Sequence, residues 1–305
     1  MLTSVAATLG LAAPASAAVV SLDANGLQFR AAPGETNRVH MFTGLSPFYP
    51  FFDYGAPLIA GAGCTGTEPV VCGDGQTFAA PFVYLGDRDD VAFVDSFFGS
   101  PRVFGEAGDD DIWSGGGVDT FAYGGSGDDT MRLNTDGAGT GIGGSGDDQI
   151  ASNGSVQNNL QGDSGADLLV ASGFSARLTG GSGRDVLVLL GNGQASGDSG
   201  ADVIVAPTRG TLSGGSGSDI IKGHGTVDAG SGSDVVDVTD ADAGMEPDTV
   251  ACGSGRDVVW ASADDVVAAD CEIVHRSAAP ALAAVTAALE AADALLAHRP
   301  DPAQP

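Results

Sequence analysis

Ten aspartates carry the chemistry available to this sequence: Asp90, Asp110, Asp129, Asp148, Asp167, Asp185, Asp202, Asp219, Asp234 and Asp257. Each stands two residues before an apolar residue, from Ala92 and Ile112 to Val236 and Val259, at intervals of 15 to 23 residues. In nine of the ten a glycine precedes the aspartate by two; only the first has Arg88 there. Glycine tolerates positive φ, so such a turn can curl its carbonyl oxygens towards one point. A carboxylate beside them completes a set of hard oxygen donors. Calcium takes six to eight oxygens at about 2.3–2.6 Å and accepts carbonyls as readily as carboxylates. One turn offers too few, but two successive turns on one edge can hold an ion between them.

The elements that position these turns follow from a second periodicity. Seven residues before each aspartate another apolar position recurs, from Val83 and Val103 through Leu160 and Leu178 to Val227 and Val250, with Gly141 the lone exception. Each repeat therefore offers two short strands, each with an inward residue. In one unit, Gly162 to Val170 form a Gly-rich turn and a strand; Ala171 to Ser175 turn again; Ala176 to Thr179 form a second strand. Such a unit buries its apolar side only by stacking on its neighbours. The reading is all-β: a parallel β-roll, or right-handed β-solenoid, with two short strands per coil of about 18 residues and a thin aliphatic core. In most coils the Gly/Asp turn occupies one edge only. At Gly117-Val118-Asp119-Thr120-Phe121 the motif recurs nine residues after Asp110, so there both edges are expected to bind metal.

The best-formed copies are Gly124 to Met131, Gly143 to Ile150, Gly180 to Leu187 and Gly214 to Ile221. They resemble the nonapeptide of the repeats-in-toxin (haemolysin-type) calcium-binding family, a pattern among known repeat signatures. The resemblance implies calcium held between successive coils, with Asp110, Asp119, Asp129, Asp148, Asp167, Asp185, Asp202, Asp219, Asp234 and Asp257 as ligands. Asp90 fits the pattern less well. Asp163 and Asp198 replace the second glycine of their motifs, as added ligands or as distortions of the turn. The long step from Asp234 to Asp257, with Asp237, Asp240, Asp242 and Glu246 inserted, departs from the pattern. The alternative is a metal-free solenoid whose Gly/Asp pairs only form turns.

Charge and processing bound the remaining choices. The 305 residues carry a net charge of −28, with 40 acids against 12 bases. No basic stripe exists to neutralise phosphates, which argues against nucleic acid. Stacked acids without a counter-ion would repel one another. Residues 1–17 read as a signal peptide ending in Ala15-Ser16-Ala17, although the usual positive n-region is absent, so a secreted, extracellular protein is expected. No other stretch is apolar for long enough to span a bilayer. The four cysteines fall into the local pairs Cys64/Cys72 and Cys252/Cys271, and an even count in an exported chain favours disulfides. The second pair is 19 residues apart, about one coil. Coils stack about 4.8 Å apart, inside the Cα range a disulfide needs.

Residues 18–82 do not follow the repeat and read as an N-terminal β cap, with strands at Val19–Leu22 and Leu27–Arg30 parted by Asn25-Gly26. An aromatic patch (Phe42, Phe48, Tyr49, Phe51, Phe52, Tyr54) follows. Residues 83–275 form the roll. Residues 276–305 form an Ala-rich tail, where Leu282, Val285, Leu289, Ala292 and Leu296 are spaced as on an amphipathic helix. That helix has three expected fates: docking on the open end of the roll, self-association or fraying. The sequence lacks H-E-x-x-H, G-x-S-x-G and Walker patterns. Its G-x-G-x-x-G at Gly139–Gly144 has no Rossmann unit around it. The resulting expectation is a calcium-binding β-roll whose folding is coupled to calcium, non-enzymatic and monomeric, serving as a scaffold or in an adhesion or matrix role, with a cell-surface or glycan partner. The rival is a polysaccharide-active solenoid, a lyase or hydrolase, whose paired acids would line a sheet face.

Overall fold

The computed structural model describes residues 17–23, 26–43, 49–73, 80–96, 99–116, 119–239 and 246–297. The expected signal segment up to Ser16, the turn residue Asn25, and Phe48 of the aromatic patch lie outside them. Among the described residues the chain is a parallel β-solenoid. Strands Arg102–Ala107, Thr120–Ser126, Gly139–Ser145 and Asn159–Ser164 stack in one sheet; Asp111–Gly116, Thr130–Thr135, Gln149–Ser152 and Leu168–Ala171 stack in the other. Register is kept from coil to coil: Leu160 pairs with Leu178, and Leu169 with Leu187.

The two apolar periodicities make the core. Ile112, Met131, Ile150, Leu169, Leu187 and Ile204 are wholly buried from one sheet; Val103, Ala122, Leu160 and Leu212 face them from the other. Gly141 interrupts the second series because its neighbours already fill the space. A Cβ there would stand 2.6 Å from Ile150 Cγ2 and 3.3 Å from Leu133 Cδ1.

The stack begins before the repeat does. β1 (Ala18–Asp23) and β2 (Gly26–Arg30) form an antiparallel pair, and β3 spans Arg38–Thr43. β2 pairs in parallel with Pro81–Gly86, and β3 with Val91–Ser96, so these two strands make the first coil. The cap's Phe29 and Phe51 stack at 6.5 Å and are fully buried, closing that end of the core. Both disulfides join the expected pairs. Cys64–Cys72 closes a loop in the cap, and Cys252–Cys271 ties the last coils together at a Cα separation of 5.2 Å.

Between Asp185 and Asp234 the coils shorten. The steps from Asp185 to Asp202 and from Asp219 to Asp234 are 17 and 15 residues. The bend opposite the aspartates then loses its loop, and single strands, Val203–Ser216 and Ile220–Gly232, run through it. The tail helix α1 (Ala283–Ala297) neither docks on the open end of the roll nor frays. It lies along the flank of the stack, burying Val285, Ala288, Ala292 and Leu295 against the outward column Ala151, Val170, Val188 and Val205. Leu289 is left 38 % exposed. Of the expected stripe, Val285 and Ala292 are buried and Leu282 and Leu296 pack at the margin, while Ala288 and Leu295 are buried in place of Leu289. Arg132 Nε donates to the carbonyl of Leu295, satisfying one of the unpaired carbonyls at the helix C-terminus.

Candidate metal centre

The Gly/Asp turns pile up on one edge of the stack. The glycine two residues before each aspartate has φ between 123° and 146° across Gly108, Gly127, Gly146, Gly165 and their successors. That region is open to glycine and costly for other residues. The stacking is also too close for a side chain: a Cβ on Gly127 would stand 2.2 Å from the carbonyl oxygen of Gly108. The second glycine of the motif also adopts positive φ. Three non-glycine residues hold that place, and all three are acidic: Glu106, Asp163 and Asp198, at φ 74°, 76° and 70°.

Each aspartate spends one carboxylate oxygen on its neighbour. The N–H of Asp110 donates to Oδ1 of Asp129 at 2.9 Å, that of Asp129 to Asp148 at 2.9 Å, and that of Asp148 to Asp167 at 2.8 Å. The same bond repeats through Asp185, Asp202, Asp219 and Asp234 to Asp257. The column continues past both ends of the aspartate series. Asn37 donates its N–H to Asp90 Oδ1, and Asp257 donates to Glu272 Oε2 at 2.9 Å. Asp90 therefore belongs to the column even with Arg88 in place of the glycine. Asp234 and Asp257 stay in register across the long step between them.

The other oxygen is left alone. Oδ2 of all ten aspartates, Asp90 through Asp257, is buried without a hydrogen-bond partner. Leaving a buried carboxylate oxygen unpaired is costly. Desolvation is the leading cause of the resulting pKa shifts, with neighbouring carboxylates adding to it in most rungs. Asp110 and Asp148 are pushed up to about 8, Asp90 and Asp185 to about 7, and Asp129, Asp167, Asp219 and Asp234 to about 6. Asp202 moves in the same direction.

What the free oxygen faces is visible at Gly124. A Cβ there would meet Asp129 Oδ2 at 2.1 Å and the carbonyl oxygen of Gly143, in the next coil, at 2.8 Å. The same pair of acceptors recurs at Gly143, with Asp148 Oδ2 and the Gly162 oxygen, and at Gly162, with Asp167 Oδ2 and the Gly180 oxygen. Two acceptors with no donor between them call for a proton or a cation. Hard oxygens, half of them main-chain, suit calcium and not a soft metal. Among the described residues no three Asp, Glu, His or Cys side chains converge on a point. Carbonyl oxygens would therefore have to supply much of any coordination shell, as a Gly-rich turn can.

Asp119 stands apart. It is exposed on the opposite edge, where its Oδ1 accepts the N–H of Ala138 at 2.9 Å, and the preceding Gly117 and Val118 lie outside the described residues. The structure does not bring it into the column. A feature that spacing alone did not single out is a second, exposed ladder one residue earlier. The N–H of Asp128 donates to Asp109 Oδ1 and that of Asp147 to Asp128 Oδ1, each at 2.8 Å, and Asp109 donates to Asp89. Its signal was the repeated Asp-Asp pair, which stops where Ala166 replaces the first aspartate. The far edge carries a shorter ladder, where Asp248 accepts from Gly225 at 2.7 Å and donates to Asp265 at 2.9 Å.

The family model for the RTX calcium-binding nonapeptide repeat matches four copies, within residues 102–121, 161–191 and 210–236. The chain carries these repeats, and the matched segments contain Asp110, Asp167, Asp185, Asp219 and Asp234 of the column as well as Asp119. No curated protein and no solved structure matches the chain.

Proposed function

We propose that the protein is an exported, non-catalytic scaffold whose coils are assembled by calcium, with Asp110, Asp129, Asp148, Asp167, Asp185, Asp202, Asp219, Asp234 and Asp257 as the carboxylate ligands and the motif carbonyls completing the shell. The calcium-binding β-roll itself follows from RTX repeats in a parallel solenoid. The observation that carries the ligand assignment is the line of ten buried Oδ2 atoms without partners. Bound calcium would supply the positive charge that this line lacks. The chain's own contribution is to hold each carboxylate by one oxygen, through a neighbour's N–H, so that the other is fixed in place and shielded from water. Asp119, exposed and outside the column, is proposed as a ligand only for a separate site on the opposite edge.

A non-catalytic role is supported by where the acids lie. A glycoside-cleaving pair needs two carboxyl groups flanking a bond in a groove. Here the buried carboxylates line a coil edge and are committed to each other's main chain. Export is supported by the signal-like N-terminus and by the two disulfides, which persist in oxidising compartments.

Binding to the folded form alone stabilises it by about 2.7 kcal/mol per site at a hundredfold excess over Kd. A mature chain in chelator should therefore lose most of its β signal by circular dichroism and regain it near about 1 mM calcium, the range of extracellular calcium modules. A β spectrum and a melting temperature both indifferent to calcium would reject the proposal.

A further inference from the structure

The two sheets of the stack are dressed differently. α1 covers the sheet that bears Val170 and Val188, while no helix covers the opposite sheet among the described residues. One outward column of that opposite sheet keeps register from Gln28 through Arg102, Asn159 and Arg177 to Thr249. No position of this column is acidic, in a chain of 40 acids and 12 bases. The outward column beside it begins with Arg30 and Tyr84 and contains one acid, Asp228. Arg30, Arg102 and Arg177 have no carboxylate partner among the described residues. Three arginines without a carboxylate partner among the described residues, on one face of so acidic a protein, are not the expected arrangement of surface charge.

The face also carries a run of stacked rings. Arg30 lies 4.0 Å over the Tyr84 ring. Tyr84, Phe104 and Tyr123 stack nearly parallel at 4.8 and 5.0 Å, and Arg102 sits over Phe82 and Phe121. Beyond the aromatics a shallow depression of about 580 Å³ opens among Thr140, Asn159, Gln161, Arg177 and Thr179.

We propose that this face binds an anionic polysaccharide laid along the axis of the stack. Arg102 and Arg177 are four coils apart, about 19 Å at about 4.8 Å per coil. Cations so widely spaced suit a polymer that carries a carboxylate or sulfate only every few units. A nucleic acid, with one charge per about 1.7 Å of duplex, would meet too few cations and would feel the acidic edge. The rows between the arginines carry Phe121 and Tyr123, then Thr140 and Ile142, then Asn159 and Gln161 with Asp163 at the outer edge; Thr140 and Asn159 can both donate to and accept from sugar hydroxyls. Arginine forks match carboxylate and sulfate oxygens in pairs. The inference rests on the coils being stacked, and so on the calcium reading, but on none of the proposed ligands.

The test uses the calcium-loaded full chain and hyaluronan oligosaccharides, which carry one glucuronate per disaccharide, with neutral dextran oligomers and single-stranded DNA alongside. Calorimetry should show hyaluronan binding that weakens with salt, at least tenfold tighter than dextran and tighter than DNA. The double variant Arg102→Gln/Arg177→Gln, at two exposed positions, should bind at least tenfold more weakly with an unchanged calcium midpoint. If that variant shifts the midpoint, Asp228→Asn decides: two- to threefold tighter binding supports the proposal, and unchanged binding overturns it. Absence of hyaluronan binding to a chain that folds with calcium, equal binding of dextran, tighter binding of DNA, or binding indifferent to the double variant would overturn this proposal while leaving the calcium reading standing. Loss of calcium-dependent folding would remove both.

Discussion

Asp129 donates its main-chain N–H to Oδ1 of Asp148 at 2.9 Å, and Oδ2 of Asp148 is left buried with nothing to bind. One residue thus orders its neighbour's carboxylate and leaves half of it unsatisfied. Repeated along the edge, this relationship makes the column both a staple and a liability. As a staple it links each coil to the next; as a liability it gathers buried charge that something must neutralise.

Asp148→Asn separates the two roles. The amide keeps the Oδ1 acceptor and puts a donor where Oδ2 faces the Gly162 carbonyl. In chelator above about pH 8, where Asp148 is ionised, the variant should melt higher than the parent, by the equivalent of about 1–3 kcal/mol, the cost of an unsatisfied buried group. In saturating calcium the order should reverse, because an anionic ligand is gone. Thermal melts in both buffers give the answer, and a variant weaker in both would remove the liability half of the argument.

The pH dependence follows from the same oxygens. Burial raises Asp110 and Asp148 to about 8 and Asp129 and Asp167 to about 6 in the folded chain, against about 3.9 when unfolded. A raised folded pKa means that the native state binds the extra protons. Without calcium, this contribution is full below about pH 4 and is lost as pH rises through 6 to 8. The chelated protein should therefore be more stable at pH 5 than at pH 8, where the carboxylates ionise and repel. With calcium the dependence should weaken or invert, since protons compete for the ligands. Calorimetric melts at both pH values, with and without chelator, test the sign.

Gly124→Ala places a methyl group 2.1 Å from Asp129 Oδ2 and 2.8 Å from the Gly143 carbonyl oxygen. The expected loss is about 1–3 kcal/mol, the usual cost of overpacking, together with a raised calcium midpoint. Gly34→Ala is the comparison. Gly34 has a positive φ, 79°, which Gly124 lacks, but no atom lies within 4 Å of the added carbon, so the change should leave the calcium midpoint alone.

Ala292 is 1 % exposed where α1 meets the Val170 and Val188 column. Ala292→Glu should drive the helix off the sheet, with loss of the helical band by circular dichroism, because a short lone helix is marginal in water. The bared valines should then bind a hydrophobic dye or pair with a second copy. Retention of the helical band with a monomer by sedimentation would show that the helix does not depend on this contact.

Much of this architecture was legible before the coordinates. The i, i+2 apolar partners and the apolar position seven residues earlier are the core, because a stacked coil has only those two inward places to fill. Cys252 and Cys271 were readable as neighbours for the same reason: their separation is one coil. What escaped was whatever depends on contacts outside the repeat. Asn37 and Glu272 end the ladder without any motif around them, since hydrogen bonding from the adjacent rung needs only an acceptor or donor in register. The docking of α1 depends on the smoothness of a valine column that reads in sequence merely as strand. Asp119 carries the motif yet misses the column, because the turn it closes belongs to the other edge. The arginines of the sheet opposite α1 share no sequence pattern; only the register brings Arg102 and Arg177 onto one line.

The most direct test of calcium between coils is anomalous scattering from crystals of the mature protein grown in calcium. The account predicts a row of calcium peaks beside the Oδ2 atoms from Asp110 to Asp257, spaced by about one coil, 4.8–5 Å. An intact solenoid in saturating calcium with no peaks along that edge would contradict it.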